Sequence, residues 1–484
     1  MEKRIGKFHL AWRVLLVWVF LLSGLCISPV HPADANPHPV SAASLAGASP
    51  RIFLPLISRP PLPLVNAPYF DGDIPMEQTA IFWFGQVTPS SNYTDVRVGY
   101  NQTKLLISLS IIDRRLWYKP SPSINDFALW DSASVYLNIN GSQNNQINNA
   151  TYRFDGMLNW WEARAQYQVA YQGVNSSWKV APLAFTTSTG WRGDAPNDNI
   201  DDRGWVINFE IPFASLGLSA PPPQGSTWSL GIVVHNRNDA AGPPNTDTKW
   251  PFEMDTMSPF TWGQLRFGLP KFIPPTGISP TGTIQIRNGV NDVTVIDGMV
   301  GGSTQCGDSI TDWWNNWGST NYQGAEQVNV QNEWDISDWS CFSKFYITFP
   351  LNGIPSGKSL ISASLTLYSI GNAGGGQWGP SPNSLVQVFT INQNWNKATL
   401  TWNNGPQAME NVSRAWVPPI TDGIPGVPRT WDVSYAVNQA LQGKTPLRLV
   451  LYSADYTYNT GRYFESSSGY SAWRPELDIV IGSP

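Results

Sequence analysis

The sequence predicts an all-β protein of two β-sandwich modules joined by a Pro-rich linker. Three observations carry this. Short apolar–polar alternations bounded by Asn, Gly and Asp recur in both halves, the pattern of half-buried antiparallel strands. Charged residues make up only 13% of the 484, and 40 prolines and 41 glycines supply turn chemistry. The stretch PKFIPPTGISPT (Pro270–Thr281) lacks the backbone donors and the conformational freedom to continue a sheet or a helix, and divides the chain.

Taken in order, residues 1–35 have a basic start, an apolar run from Val14 to Leu22 and the small-residue site Ala33-Asp34-Ala35. This predicts a signal peptide, hence a secreted, extracellular or cell-surface protein with no membrane span after cleavage; the alternative is an uncleaved anchor. Residues 36–66 are rich in Pro, Ala and Ser and read as an extended tether. Residues 67–270 form the first module. Its clearest strands are Val96–Tyr100, Leu105–Ile112, Ser134–Asn140, Gln166–Tyr171, Trp205–Ile211 and Trp228–Val234. Residues 271–281 are the linker, and the module boundaries predict that each half is stable alone when cut near Pro275. Residues 282–484 form the second module, with strands such as Lys344–Phe349, Leu360–Tyr368, Leu385–Ile391, Leu447–Tyr452 and Leu477–Ile481. Val433, Ala436, Val437, Ala440 and Leu441 follow helical spacing, and Gly443 ends that helix.

Charge excludes some partners. Residues 67–270 hold 13 Lys and Arg against 18 Asp and Glu, and residues 271–484 hold 11 against 15, so both modules are acidic. Nucleic acid is not a partner on this ground, and a polyanionic polysaccharide is disfavoured. Catalytic groups are scarce. Only His235 lies outside the first 66 residues, so a Ser-His-Asp triad has to use it; it reads as a strand-end residue. Glu162 and Glu210 are conceivable glycosidase carboxylates, but nothing in the sequence places them together. No catalytic residue is assigned. Cys306 and Cys341 most simply pair as the disulfide of an exported chain; two free thiols are the alternative. The loop from Gly193 to Asp202 concentrates oxygen ligands, making Asp194, Asp198, Asp201 and Asp202 a candidate Ca²⁺ site; the alternative is an Asx-rich turn.

Tryptophan is the main functional signal, at 24 residues. An indole offers a flat apolar face with a polar handle, matched to the C–H face of a sugar. Loop tryptophans are the candidates for carbohydrate binding: Trp117, Trp160, Trp161 and Trp191 in the first module, and Trp313, Trp314, Trp317 and Trp378 in the second. The alternative for each is packing under a long loop.

Several stretches resemble known families. YFDGDIP (Tyr69–Pro75), VRVGYNQTKLLISLSIIDRRLW, WDSASVYLNIN and GWVINFEIPFASLGL occur in the order and spacing of the family 9-like carbohydrate-binding modules, with Tyr136 and Asn138 where a Glu is often found. FYITFPLNGIPSGKSLISASLTLY, WNKATLTWNNGP, TWDVSYAV, YFESS and RPELDIVI resemble the DNRLRE-type domain allied to family 96 carbohydrate-binding modules, with Lys397 where that family usually has Glu. The resemblances imply jelly-roll-like sandwiches that bind polysaccharide or another glycan non-catalytically, in families often joined to lyases or hydrolases of carbohydrate catabolism. Cell-wall or other secreted enzymes are the implied partners. A polysaccharide-degrading enzyme and a structural adhesion protein are the rival readings.

Overall fold

A computed structural model describes residues 61–483 except 142–144, 303–305, 307–309 and 375–378. The signal peptide, the tether up to residue 60, and Trp378 lie outside the described residues. In the first half the strands are β1 (Leu64–Ala67), β2 (Ala80–Thr88), β3 (Ser91–Tyr100), β4 (Lys104–Ile112), β5 (Ser132–Asn138), β6 (Thr151–Met157), β7 (Gln168–Val174), β8 (Ser177–Val180), β9 (Thr186–Arg192), β10 (Gly204–Pro212), β11 (Thr227–His235), β12 (Thr248–Trp250) and β13 (Gly263–Phe267). In the second they are β14 (Ser279–Arg287), β15 (Ile296–Gly301), β16 (Gln327–Val330), β17 (Ser343–Phe349), β18 (Ser359–Asn372), β19 (Ser384–Thr390), β20 (Glu410–Val417), β21 (Val427–Asp432), β22 (Leu447–Ser453), β23 (Arg462–Glu465) and β24 (Glu476–Ser483). Among the described residues α-helices are few: a single turn, α1 (Trp313–Asn316), and the expected α2 (Ser434–Gly443), closed by Lys444 in the left-handed region.

The first sandwich packs the sheet β2-β3-β4-β10-β9 on β13-β11-β5-β6-β7-β8. Alternate residues of the central strands fill its core: Phe82 and Phe84, Val96 and Val98, Leu105 to Ile111, and Ile207 and Phe209. The second packs β14-β24-β18-β23-β16 on β15-β17-β22-β19-β20, around Phe345, Ile347, Leu365, Leu367, Leu449 and Leu451.

The two sandwiches are not separated as the sequence suggests. Leu64–Asn66, expected to end the tether, and Ala67 form a buried strand lying parallel to β13 and bridged to β20, so one sheet runs through both halves. Its LVNA sequence buries Val65 and Ala67 in the first core. Asn66 and Asn411 exchange amide hydrogen bonds of 2.7–2.9 Å across the seam. β14 begins at Ser279, inside the expected linker. The described residues form one compact unit.

The second faces of β2, β3 and β4 explain the fusion. Ile81, Trp83, Tyr93 and Ile112 join Trp317, Trp339, Tyr346, Phe389, Trp402 and Tyr452 in a third core. The polar positions on these faces are also buried. Asp95 accepts from Tyr93 and Tyr452 at 2.7 and 2.8 Å, and Arg97 donates to the carbonyls of Ala454 and Asp455 at 3.1 and 3.2 Å. Lys344 reaches in from β17, bonded to the Tyr93 hydroxyl at 2.6 Å and lying 3.3 Å from the Trp402 ring centre. Burial pushes the Lys344 ammonium well below its usual range, and the Asp95 charge opposes that shift.

Candidate functional site

The outer end of the first sandwich carries a tryptophan platform. Trp160 and Trp161 follow β6, where the chain leaves the sheet, and Trp191 stands on the edge strand β9. Trp161 stacks on Trp160 with ring centres 5.5 Å apart and planes at 27°, and Trp191 meets both edge-on at 5.8 and 6.2 Å. Trp161 is 80% exposed, while Trp160 and Trp191 pack against the core with part of each ring open.

The tip is held rigidly. Glu162 Oε2 accepts the amides of Trp160 and Trp161 at 3.0 and 3.1 Å, and its Oε1 accepts the Tyr118 hydroxyl at 2.8 Å. Partial burial of the Glu162 carboxyl raises its pKa, but these hydrogen bonds outweigh that and hold it below the ordinary carboxylate range. Tyr118 is pushed the opposite way, by burial and by its bond to Glu162. Asn159 donates to the Glu162 carbonyl at 2.9 Å and accepts from Arg164 and Thr189 at 2.5 and 2.9 Å. Burial draws Arg164 down to about 10. Trp191 donates its indole N–H to the Asp194 carbonyl at 3.0 Å. The exposed Trp161 face therefore stands on a fixed polar base.

Other expected sugar-binding tryptophans are not available. Trp117 is buried, its amide bonded to Asp131 at 2.6 Å. Trp314 and Trp317 are buried in the third core, and Trp317 donates to the Ser340 carbonyl at 3.0 Å. A ring without an open face cannot stack on a sugar, so these three are packing residues. Trp313 keeps a half-exposed ring. With Asp312 and Trp339 it lines a cleft of about 440 Å³ whose other wall is Asp201, Asp202 and Arg203 of the first half.

The aspartate-rich loop thus faces the tryptophan-rich loop, but its four carboxylates do not converge. Asp198 caps the Ile200 amide at 2.7 Å, and Asp201 pairs with Arg114 and Arg115 at 2.9 and 2.7 Å. Asp202 is buried and pushed up to about 7 by desolvation and by Asp198 and Asp194. Among the described residues no group of three or more His, Cys, Asp or Glu could hold a metal ion, and the Asp198 contact is that of an Asx-rich turn. The Cys306–Cys341 disulfide is formed, with the Cα atoms 4.2 Å apart. In the chain-entropy account it contributes about 3–4 kcal/mol.

His235 ends β11 as expected, yet it also sits between an acid and a hydroxyl. Nδ1 is 2.8 Å from Asp247 Oδ1 and Nε2 is 3.3 Å from Ser134 Oγ. Ser134 is 1% exposed and His235 5%, so no substrate carbonyl can approach the hydroxyl. Of the two conceivable carboxylates, Glu210 is paired with Lys104 at 2.8 Å and Glu162 is occupied with the platform.

Two further ring systems, one exposed and one partly buried, were not singled out from sequence. Trp416 and Tyr456, each about half exposed, line a second cleft at the junction of the halves. Trp395 lines a third cleft with Asn394, Asn396 and Asn404. Trp416 lies in a strand ending in SRAWV, where alternation hides which face is open; only its exposure separates it from a core ring.

Among the described residues no helix is long and apolar enough to cross a membrane. No curated protein matches the chain. Two solved structures of a family 9 carbohydrate-binding module from Caldicellulosiruptor kristjanssonii resemble part of it. The complex with cellotriose covers 44% of this chain and 99% of its own at 13% identity and a TM-score of 0.30; the complex with glucose covers 44% and 98% at 15% and 0.29. Residues 313–480 match the model of carbohydrate-binding module family 96.

Proposed function

We propose that the chain is a secreted, non-catalytic carbohydrate-binding protein that holds a neutral polysaccharide, with Trp160, Trp161 and Trp191 as its principal site. The observation that carries the reading is the exposed Trp161 face, stacked on Trp160 and braced by Glu162. A ring fixed before binding loses little conformational freedom when a sugar stacks on it. Such a contact contributes about 1–3 kcal/mol. The family 96 match over residues 313–480 supports carbohydrate binding by the second half, where Trp313 is the partly exposed ring among the described members of the expected set. The excess of carboxylates in both halves favours neutral over anionic polymers. The leader at residues 1–35 and the disulfide favour export.

Affinity electrophoresis through gels containing hydroxyethyl cellulose, xylan or galactomannan tests this. Wild-type chain should be retarded by at least one of them, and Trp161→Ala should run markedly faster in that gel. Equal mobility of the two proteins in every gel overturns the assignment of the site, and absence of retardation overturns the function.

A further inference from the structure

We propose a second glycan-binding site, for neutral oligosaccharides, that exists only because the two halves are fused. It rests on the carbohydrate-binding reading above and lies apart from the tryptophan platform. The site is a cleft of about 340 Å³ lined by Glu77, Asn383, Trp416, Tyr456, Thr457 and Thr460. Trp416 is 46% and Tyr456 48% exposed, giving two aromatic surfaces beside a carboxylate, an amide and hydroxyls. That is the chemistry a pyranose needs: rings for its C–H faces, donors and acceptors for its hydroxyls.

Both halves build the cleft. Glu77 lies on the 3₁₀ turn Met76–Gln78 of the first half. That turn is fastened to the second half by Arg414, which donates to the Gln78 carbonyl at 2.8 Å, and by Gln387, which donates to the Thr79 carbonyl at 2.7 Å. The loop after β22, which carries Tyr456 and Thr457, belongs to the second half. Arg97 of the first half holds it through the carbonyls of Ala454 and Asp455. Tyr456 also stacks on Trp334, 5.4 Å away at 19°, and Trp334 donates to Ser108 of the first half at 2.9 Å. Asp455, itself buried, closes the floor of the lining, its Oδ2 accepting from Ser384 and Ser453 at 2.8 Å each. With Glu77 in the lining and no Lys or Arg there to pair a carboxylate, a uronate is disfavoured and a neutral sugar fits.

The test is calorimetric titration of the full chain with cellohexaose, xylohexaose and mannohexaose, with amide hydrogen exchange on the same samples. The proposal expects two binding events in wild type. Trp416→Ala with Tyr456→Ala should remove one, Trp161→Ala should remove the other, and Glu77→Gln should weaken the first about tenfold or less. Sugar should slow exchange across residues 455–460 in wild type and in Trp161→Ala. If Trp161→Ala abolishes all binding and Glu77→Gln and the double variant titrate as wild type, this cleft is overturned while the proposed function stands. If wild type binds none of the three sugars, both fall.

Discussion

Trp83 tests the fusion of the halves. It lies on β2 of the first half, 4% exposed, with Phe389 and Tyr452 of the second half 5.3 and 5.5 Å away and Lys344 Nζ 4.5 Å from its ring centre. A buried indole of roughly 200 Å², at about 25 cal/mol per Å², contributes about 5 kcal/mol. Cavity formation adds to the cost of Trp83→Ala, and partial collapse of the site reduces it, so about 4–5 kcal/mol is expected. Native-state hydrogen exchange reads where that loss is felt. In one cooperative unit the most protected amides of both halves, such as Ile107 on β4 and Leu449 on β22, should each exchange about a thousandfold faster or more. Acceleration confined to the first half, with Leu449 unchanged, would show that the third core is only a contact between independent domains, and the reasoning from shared burial would be wrong.

Three further outcomes follow from the same structure. Glu162→Ala removes the acceptor of three hydrogen bonds and should speed exchange at Trp160 and Trp161 while lowering stability by about 1–2 kcal/mol; unchanged exchange there would show that the platform is not braced by Glu162. Asp202, pushed up to about 7 by desolvation first and then by Asp198 and Asp194, holds a proton between about pH 4 and 7 that the unfolded chain releases, so this group's stabilisation should fall as pH rises through that window. Asp113, up to about 7 through desolvation and Asp202, acts in the same sense, and denaturant titrations should give greater stability near pH 5 than near pH 8, with the difference shrinking in Asp202→Asn; the opposite slope would refute the burial argument. A fluorophosphonate probe should leave Ser134 unlabelled in the native chain, because that hydroxyl is sealed; labelling lost in His235→Ala would instead revive the enzyme reading.

Much of each sandwich was legible because period-2 alternation reports one buried face. Leu105–Ile112 and Trp205–Ile211 lie within β4 and β10, and α2 forms where helical spacing placed it. What alternation could not report was the other face. In LLISLSII the serines look solvent-directed, yet Ser108 and Ser110 are buried and bond to Trp334. Asp95 and Arg97 are hidden in the same way: in a sequence, a polar interface residue looks the same as a surface residue. The site was legible in part. Trp160, Trp161 and Trp191 come together from two distant segments, a convergence that spacing cannot show. The run Asp312–Trp317 looked like a binding loop but buries Trp314 and Trp317, since rings beside polar residues also cap a core. Trp416 and Tyr456 were missed because their exposure depends on how the halves meet.

The central claim is that an uncharged stacking surface at Trp161 carries recognition. It is read most directly by calorimetry on the chain carrying Trp416→Ala and Tyr456→Ala, titrated with the oligosaccharide that wild type binds, with and without Trp161→Ala, at low and high salt. The account predicts a loss of about tenfold or more on removing Trp161, and an affinity nearly independent of salt, because stacking and neutral hydrogen bonds are little screened. Unchanged affinity without Trp161, or affinity that collapses as salt rises, would contradict it.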